Sequence, residues 1–200
     1  SRIRPMIALP MHPSNVFTIE ELNANAAQLL HECEENIRRL IGRQDLRINL
    51  AAKVQDGRVR ADQGVIAGCA GGLYENLVLA AHILQGHTGG CGDYALSVYP
   101  ASQPVMAALD RAGVIGEMIA AGVTIRTAFC GPCFGAGDVP ANGALSIRHA
   151  TRNFPNREGS KPGSGQLSAV ALMDARSIAA TTARGGLLTA ATELDYSEDI

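Results

Sequence analysis

Apolar residues recur at helical spacing through Leu22, Ala26, Leu29, Leu30, Cys33, Ile37, Leu40 and Ile41. Thr18 and Glu21 stand ahead of them at the spacing of a capping box. The pattern predicts one long amphipathic helix whose apolar stripe takes in Cys33, which makes that thiol a core group rather than a ligand. Upstream, Met6-Ile7-Ala8-Leu9 lies between Pro5 and Pro10 and reads as a short strand at a sheet edge, where proline is tolerated. Downstream, Arg47 to Val54 reads as a strand, Gln55-Asp56-Gly57-Arg58 as a tight turn and Val59-Arg60-Ala61 as the returning strand of a hairpin. Gly64-Val65-Ile66-Ala67-Gly68 has the unbroken apolar character of a strand buried on both faces. A helix from Leu73 to Leu84, closed by Gly86, follows it.

The second half repeats this rhythm. After a glycine-rich loop from His87 to Asp93, Leu96 to Tyr99 is a strand, and Ser102 caps a helix carrying Val105, Met106, Leu109 and Ala112. A short helix from Ile115 to Ala121 stops at Gly122, and Val123 to Thr127 returns as a strand. Ala144 to Arg148 and Ala169 to Met173 are further strands, the latter leading through an Asp174 cap into a helix over Ala175 to Arg184. Between them Thr151 to Gly163 is a polar loop too rich in Pro and Gly to be regular, and Glu193 to Ile200 reads as a frayed tail. Strands alternating with helices over short connections define an α/β class: a mostly parallel sheet with helices on both faces, plus a β-hairpin, in a single domain over residues 1–200.

Composition narrows the partners. The net charge of −2 with mixed signs offers no basic face for nucleic acid. No apolar run approaches the roughly 20 residues that cross a bilayer, so no membrane is expected and a cytoplasmic location is the expectation. Five cysteines, an odd number in a chain of this size, favour reduced thiols over a disulfide framework.

Three of those thiols stand in related settings. Cys130-Gly131-Pro132-Cys133 follows one strand and Cys69 follows another, and the carboxyl ends of strands are where open α/β sheets place ligands. Four chemistries compete for them. Structural zinc takes four ligands, so Cys91, His82, His87 or His149 would have to complete the set. A thiol-disulfide redox pair wants its first thiol at a helix start, whereas the run from Phe134 to Pro140 carries too much Gly and Pro to propagate a helix. An iron-sulfur cluster suits three thiolates with one iron left open. Plain packing of small side chains is the fourth.

The ordered set of Gly68-Cys69, Cys130-Gly131-Pro132-Cys133-Phe134-Gly135 and Arg152-Asn153-Phe154 with Arg157 resembles the aconitase and isopropylmalate isomerase family. Ala8-Leu9-Pro10, Pro13-Ser14-Asn15 and Tyr74-Glu75 support the resemblance, which covers nearly the whole chain. It implies the iron-sulfur domain fold of that family, with a 4Fe-4S cluster on Cys69, Cys130 and Cys133. It further implies Arg152 and Arg157 as binders of substrate carboxylates, and dehydration and rehydration of a small hydroxy-polycarboxylic acid. Two departures stand out: Ala70-Gly71 where the family continues its first cysteine with Thr-Asn, and Thr151 where the family has Asn. The resemblance reaches only the family's third domain, so the catalytic base is expected outside this chain. The chain is then expected to be an excised part of a longer protein, inactive alone and completed by that protein's other domains. The rival expectations are a degenerate, non-catalytic binding domain of the same fold and a thiol-disulfide redox protein.

Overall fold

The computed structural model describes residues 4–88 and 92–200. β1 (Met6–Ala8) and β2 (Val16–Thr18) are an antiparallel pair, followed by α1 (Ile19–Ala24) and α2 (Ala26–Ile41). A small hairpin of β3 (Val54–Gln55) and β4 (Arg58–Val59) precedes β5 (Gln63–Ile66), the short α3 (Gly68–Gly71) and α4 (Tyr74–Leu84). Then come β6 (Ala95–Val98), α5 (Gln103–Arg111), α6 (Val114–Ala120) and β7 (Thr124–Ile125). β8 (Leu145–His149), β9 (Ala169–Met173) and α7 (Ala175–Ala183) complete the unit.

The main sheet has the order β2-β1-β9-β8-β5-β6-β7. Its five strands from β9 to β7 are parallel and β1 joins β9 antiparallel. The α/β class, the mostly parallel sheet flanked by helices and the separate hairpin are as the hydrophobic pattern predicts. The chain passes from β5 to β6 on one side and later returns to β8 on the other. Cys69, directly after β5, therefore lies at the topological switch point where such sheets open a crevice.

Four local expectations change. β1 is not at the edge: Ile7 pairs with Phe17 on one side and Met173 on the other, while Pro5 and Pro10 flank the bonded residues without interrupting them. The long helix is two helices, because Asn25 (φ −122°, ψ 24°) leaves the helical region and turns its amide back to donate to the Glu21 carbonyl at 3.0 Å. The Thr18–Glu21 capping box forms as expected, and Cys33 is buried. The segment before the hairpin is a 3-10 turn over Ala51–Lys53 rather than a strand. The Glu34 carboxylate accepts the Ala51 N–H at 2.8 Å and the Asn49 side chain that of Ala52 at 3.0 Å, so the amides a ladder would need are already bonded. The first part of the tail is docked, with Leu194 and Tyr196 packed on the core and Glu193 paired to Arg58 at 2.6 Å, while Ser197 to Ile200 are exposed.

The two sides of the central strands differ, since alternate residues face opposite ways. Ile66 on one side joins the large core with α4 and α7. On the other, Val65 is paired in register with Arg148 of β8 and with Ser97 of β6, and it packs with Ala67 and Tyr99 as a small separate cluster. That second side carries polar groups, and the Cys130–Pro140 loop is hydrogen-bonded to them.

Candidate active site at the carboxyl ends of the strands

Gly68 adopts φ +65°, and a methyl built on it would stand 3.7 Å from the Cys130 sulfur and 3.9 Å from that of Cys133. The two thiols of the second cysteine motif thus hang over the backbone immediately preceding Cys69. Positive φ favours glycine here, and its missing side chain leaves the space the sulfurs face. Cys69 and Cys130 are exposed and Cys133 is partly so, whereas Cys33 is sealed in the core.

The second motif is a 3-10 turn over Gly131–Cys133, closed by the Phe134 N–H donating to the Gly131 carbonyl at 3.0 Å. No longer helix follows, as the Gly and Pro content predicts, so Cys130 lacks the helix start that thioredoxin-type chemistry uses.

What fixes this turn is Arg148 of β8, a residue that the strand pattern alone gives no task. The residue as a whole is 1% exposed. It donates to the Pro132 carbonyl at 2.7 Å and the Asp138 carbonyl at 2.7 Å, and to the side chains of Ser146 at 3.0 Å and Gln63 at 3.3 Å. Burial pulls its pKa down to about 10, opposed by the nearby Glu158 and Asp138 carboxylates, and it stays charged at neutral pH. One buried cation therefore bolts both ends of the cysteine loop to β8. The Asp138 carboxylate adds a second tie, accepting from Tyr99 at 2.5 Å and Ser97 at 3.1 Å and pairing with Arg126 at 3.2 Å. Burial and this bond push the Tyr99 phenol up to about 12. The signal for Arg148 was present in the sequence as the one arginine of the strand Leu145 to His149; that for Asp138, in a glycine-rich loop, was not.

Arg152 and Arg157 lie on the loop leaving β8, both exposed. Among the described residues neither forms an ion pair; Arg152 donates to the Thr151 hydroxyl at 3.0 Å. The loop is anchored by Asn153, which is buried and donates to the Leu9 carbonyl at 2.7 Å. It meets the cysteine loop through two glycines: a side chain on Gly135 would come within 2.7 Å of the Gly159 Cα. Arginines and thiols thus belong to loops in backbone contact.

Of the candidate zinc partners, Cys91 lies outside the described residues. His82 is bonded through Nδ1 to the Ser197 carbonyl at 3.0 Å, and His149 accepts the Ala175 N–H at 3.1 Å. Among the described residues no three His, Cys, Asp or Glu side chains are grouped to hold a single metal ion. The Cys130 and Cys133 sulfurs nevertheless share the space beside Gly68.

Fold and site together describe an α/β domain with accessible thiols at the rim of its parallel strands. Residues 1–180 match the aconitase family (aconitate hydratase), and the chain belongs to that family. It is similar to the 3-isopropylmalate dehydratase large subunit of Caldanaerobacter subterraneus subsp. tengcongensis, 30% identical over 181 residues, which cover 88% of this chain and 34% of the relative. The large subunit of Moorella thermoacetica is 29% identical over 160 residues, 80% of this chain and 30% of that protein. Large subunit 1 of Archaeoglobus fulgidus is 36% identical over 105 residues, 52% of this chain and 25% of that protein. The chain spans about a third of the length of the curated relatives it matches.

Proposed function

We propose that this chain is the cysteine-bearing domain of an aconitase-family hydro-lyase that dehydrates and rehydrates a small hydroxy-polycarboxylic acid. In this reading Cys69, Cys130 and Cys133 are the protein ligands of a 4Fe-4S cluster. The observation that carries it is the approach of the Cys130 and Cys133 sulfurs to Gly68, beside Cys69. When bound, such a cluster supplies an iron without a protein thiolate, a Lewis acid for an oxygen of the substrate.

The chain's own residues supply binding and order. Arg152 and Arg157 present exposed guanidinium forks to carboxylates, which bidentate geometry suits. Arg148 and Asp138 hold the cysteine loop in one conformation so that the sulfurs need no reorganisation. The proton-abstracting base belongs to other domains of a longer parent protein, acting in the cytoplasm. Phe129 and Phe134, stacked edge-to-face at 5.8 Å, and Phe154 are exposed around the site. They form the apolar rim that those domains would cover.

Anaerobic addition of iron and sulfide to the parent protein is expected to produce broad visible absorbance that Cys130→Ser abolishes. Protein that stays colourless rejects the reading. The degenerate binding-domain alternative is favoured by Ala70, Gly71 and Thr151, which place little polar side chain beside Cys69; dehydration of any hydroxy acid by the reconstituted protein removes it.

A further inference from the structure

The imidazole of His149 stands at the junction of the site's two halves. His149 ends β8, pairs in register with Ile66 of β5, and takes the Ala67 N–H on its carbonyl at 3.1 Å, two residues before Cys69. Its ring lies over Gly71: a Cβ on that glycine would stand 3.0 Å from the His149 Cβ and 3.2 Å from its Cγ. The bare backbone at 71 is what admits the ring. Three residues further along the chain is Arg152.

The protonation of the ring follows from its partner. Nδ1 accepts the N–H of Ala175, the first residue of α7, at 3.1 Å. A nitrogen that accepts carries no proton, so in the neutral ring the proton is on Nε2. Burial holds the imidazole below its ordinary pKa, against the opposing pull of Asp174, and the helix start disfavours positive charge there as well. Among the described residues Nε2 has no hydrogen-bond partner. Among the described residues the sole sealed side-chain nitrogen or oxygen lacking one is Asn153 Oδ1, so Nε2 of this half-buried ring is not sealed from solvent.

We propose that His149 contacts substrate, its Nε2–H donating to an oxygen of the bound hydroxy acid that Arg152 and Arg157 leave free. The inference rests on the hydro-lyase reading and deepens it. An uncharged donor adds orientation without a third positive charge, and it supplies beside Cys69 the polar group that Ala70 and Gly71 do not. Its ligand class is an acid bearing an oxygen beyond the two carboxylates, such as citrate.

Two variants separate this role from support of α7. Asn at 149 can accept the Ala175 N–H but has no donor at the Nε2 position; Gln places an N–H near Nε2 and abandons Ala175. In the reconstituted parent protein, with citrate as the probe, His149→Asn is expected to raise KM or Kd about 10–100-fold at unchanged melting temperature, as loss of a hydrogen bond to a charged group does. His149→Gln is expected to stay within about 5-fold of wild type. The reverse order, or no effect from either, overturns the proposal while leaving the hydro-lyase reading intact. A wild-type protein that acquires its cluster absorbance yet neither binds nor dehydrates citrate or related hydroxy acids overturns both. Independently of activity, nitrogen-15 spectra of histidine-labelled chain at pH 7 are expected to show His149 protonated on Nε2 alone; a proton on Nδ1 overturns the assignment.

Discussion

Cys33 and the site thiols are the same chemical group in opposite surroundings. Cys33 is 1% exposed, with its sulfur 3.6 Å from the Pro10 carbonyl, and burial pushes its thiol up to about 12. Since this folded-state value lies above the ordinary thiol value, the fold favours the protonated form. That contribution is complete below about pH 9 and is lost as pH rises from there towards 12, at about 1.4 kcal/mol per unit. Wild-type stability to urea should therefore fall between pH 9 and 10, below the range in which Tyr99 titrates, and Cys33→Ala should flatten that segment. A thiol reagent at pH 8 should modify Cys69 and Cys130 in native protein and reach Cys33 only on unfolding.

At the level of elements, the cysteine turn owes its shape to β8 rather than to its own residues. A three-residue 3-10 turn that begins on a glycine and is followed by Gly135 and Gly137 has little intrinsic preference, and the Arg148 hydrogen bonds to Pro132 and Asp138 supply what local propensity does not. Arg148→Met should leave the buried Pro132 carbonyl and the partly buried Asp138 carbonyl without this donor and lower stability by about 3 kcal/mol, read as a reduced urea midpoint. Arg148→Lys should recover part of this, since an ammonium can serve one carbonyl but not the whole fork. The same logic explains which elements are legible from sequence. Helices with a capping side chain, such as α5 behind Ser102 and α7 behind Asp174, begin where the pattern puts them because the signal is within four residues. The break at Asn25 and the 3-10 turn at Ala51 are not legible in this way. The second depends on the Glu34 carboxylate arriving from α2, and the first on a side chain choosing the Glu21 carbonyl over solvent.

For the molecule as a whole, the site is open on one side. Arg152, Arg157, Cys69 and Cys130 are all exposed, and exposed phenylalanines ring them. Water has free access to such a rim, and both electrostatic stabilisation and protection of a cluster depend on excluding it. The isolated chain should accordingly show no dehydration of hydroxy acids after iron and sulfide treatment and should bleach in air faster than the parent protein, compared by absorbance decay and turnover. Equal turnover by the isolated chain would mean that the base lies within these residues.

The α/β class, the parallel sheet and the buried Cys33 were determined by hydrophobic spacing, because each is written in neighbouring residues, whereas the three cysteine and two arginine candidates came from the resemblance of short motifs to a family. Which strands lie side by side, and hence that the turn after β7 comes back over the residue before Cys69, was decided only by the folded sheet. So were the work of Arg148 and the orientation of His149. Their partners, Pro132, Asp138, Gly71 and Ala175, are distant in sequence, and a hydrogen bond between distant segments exists only once the strands carrying them have paired.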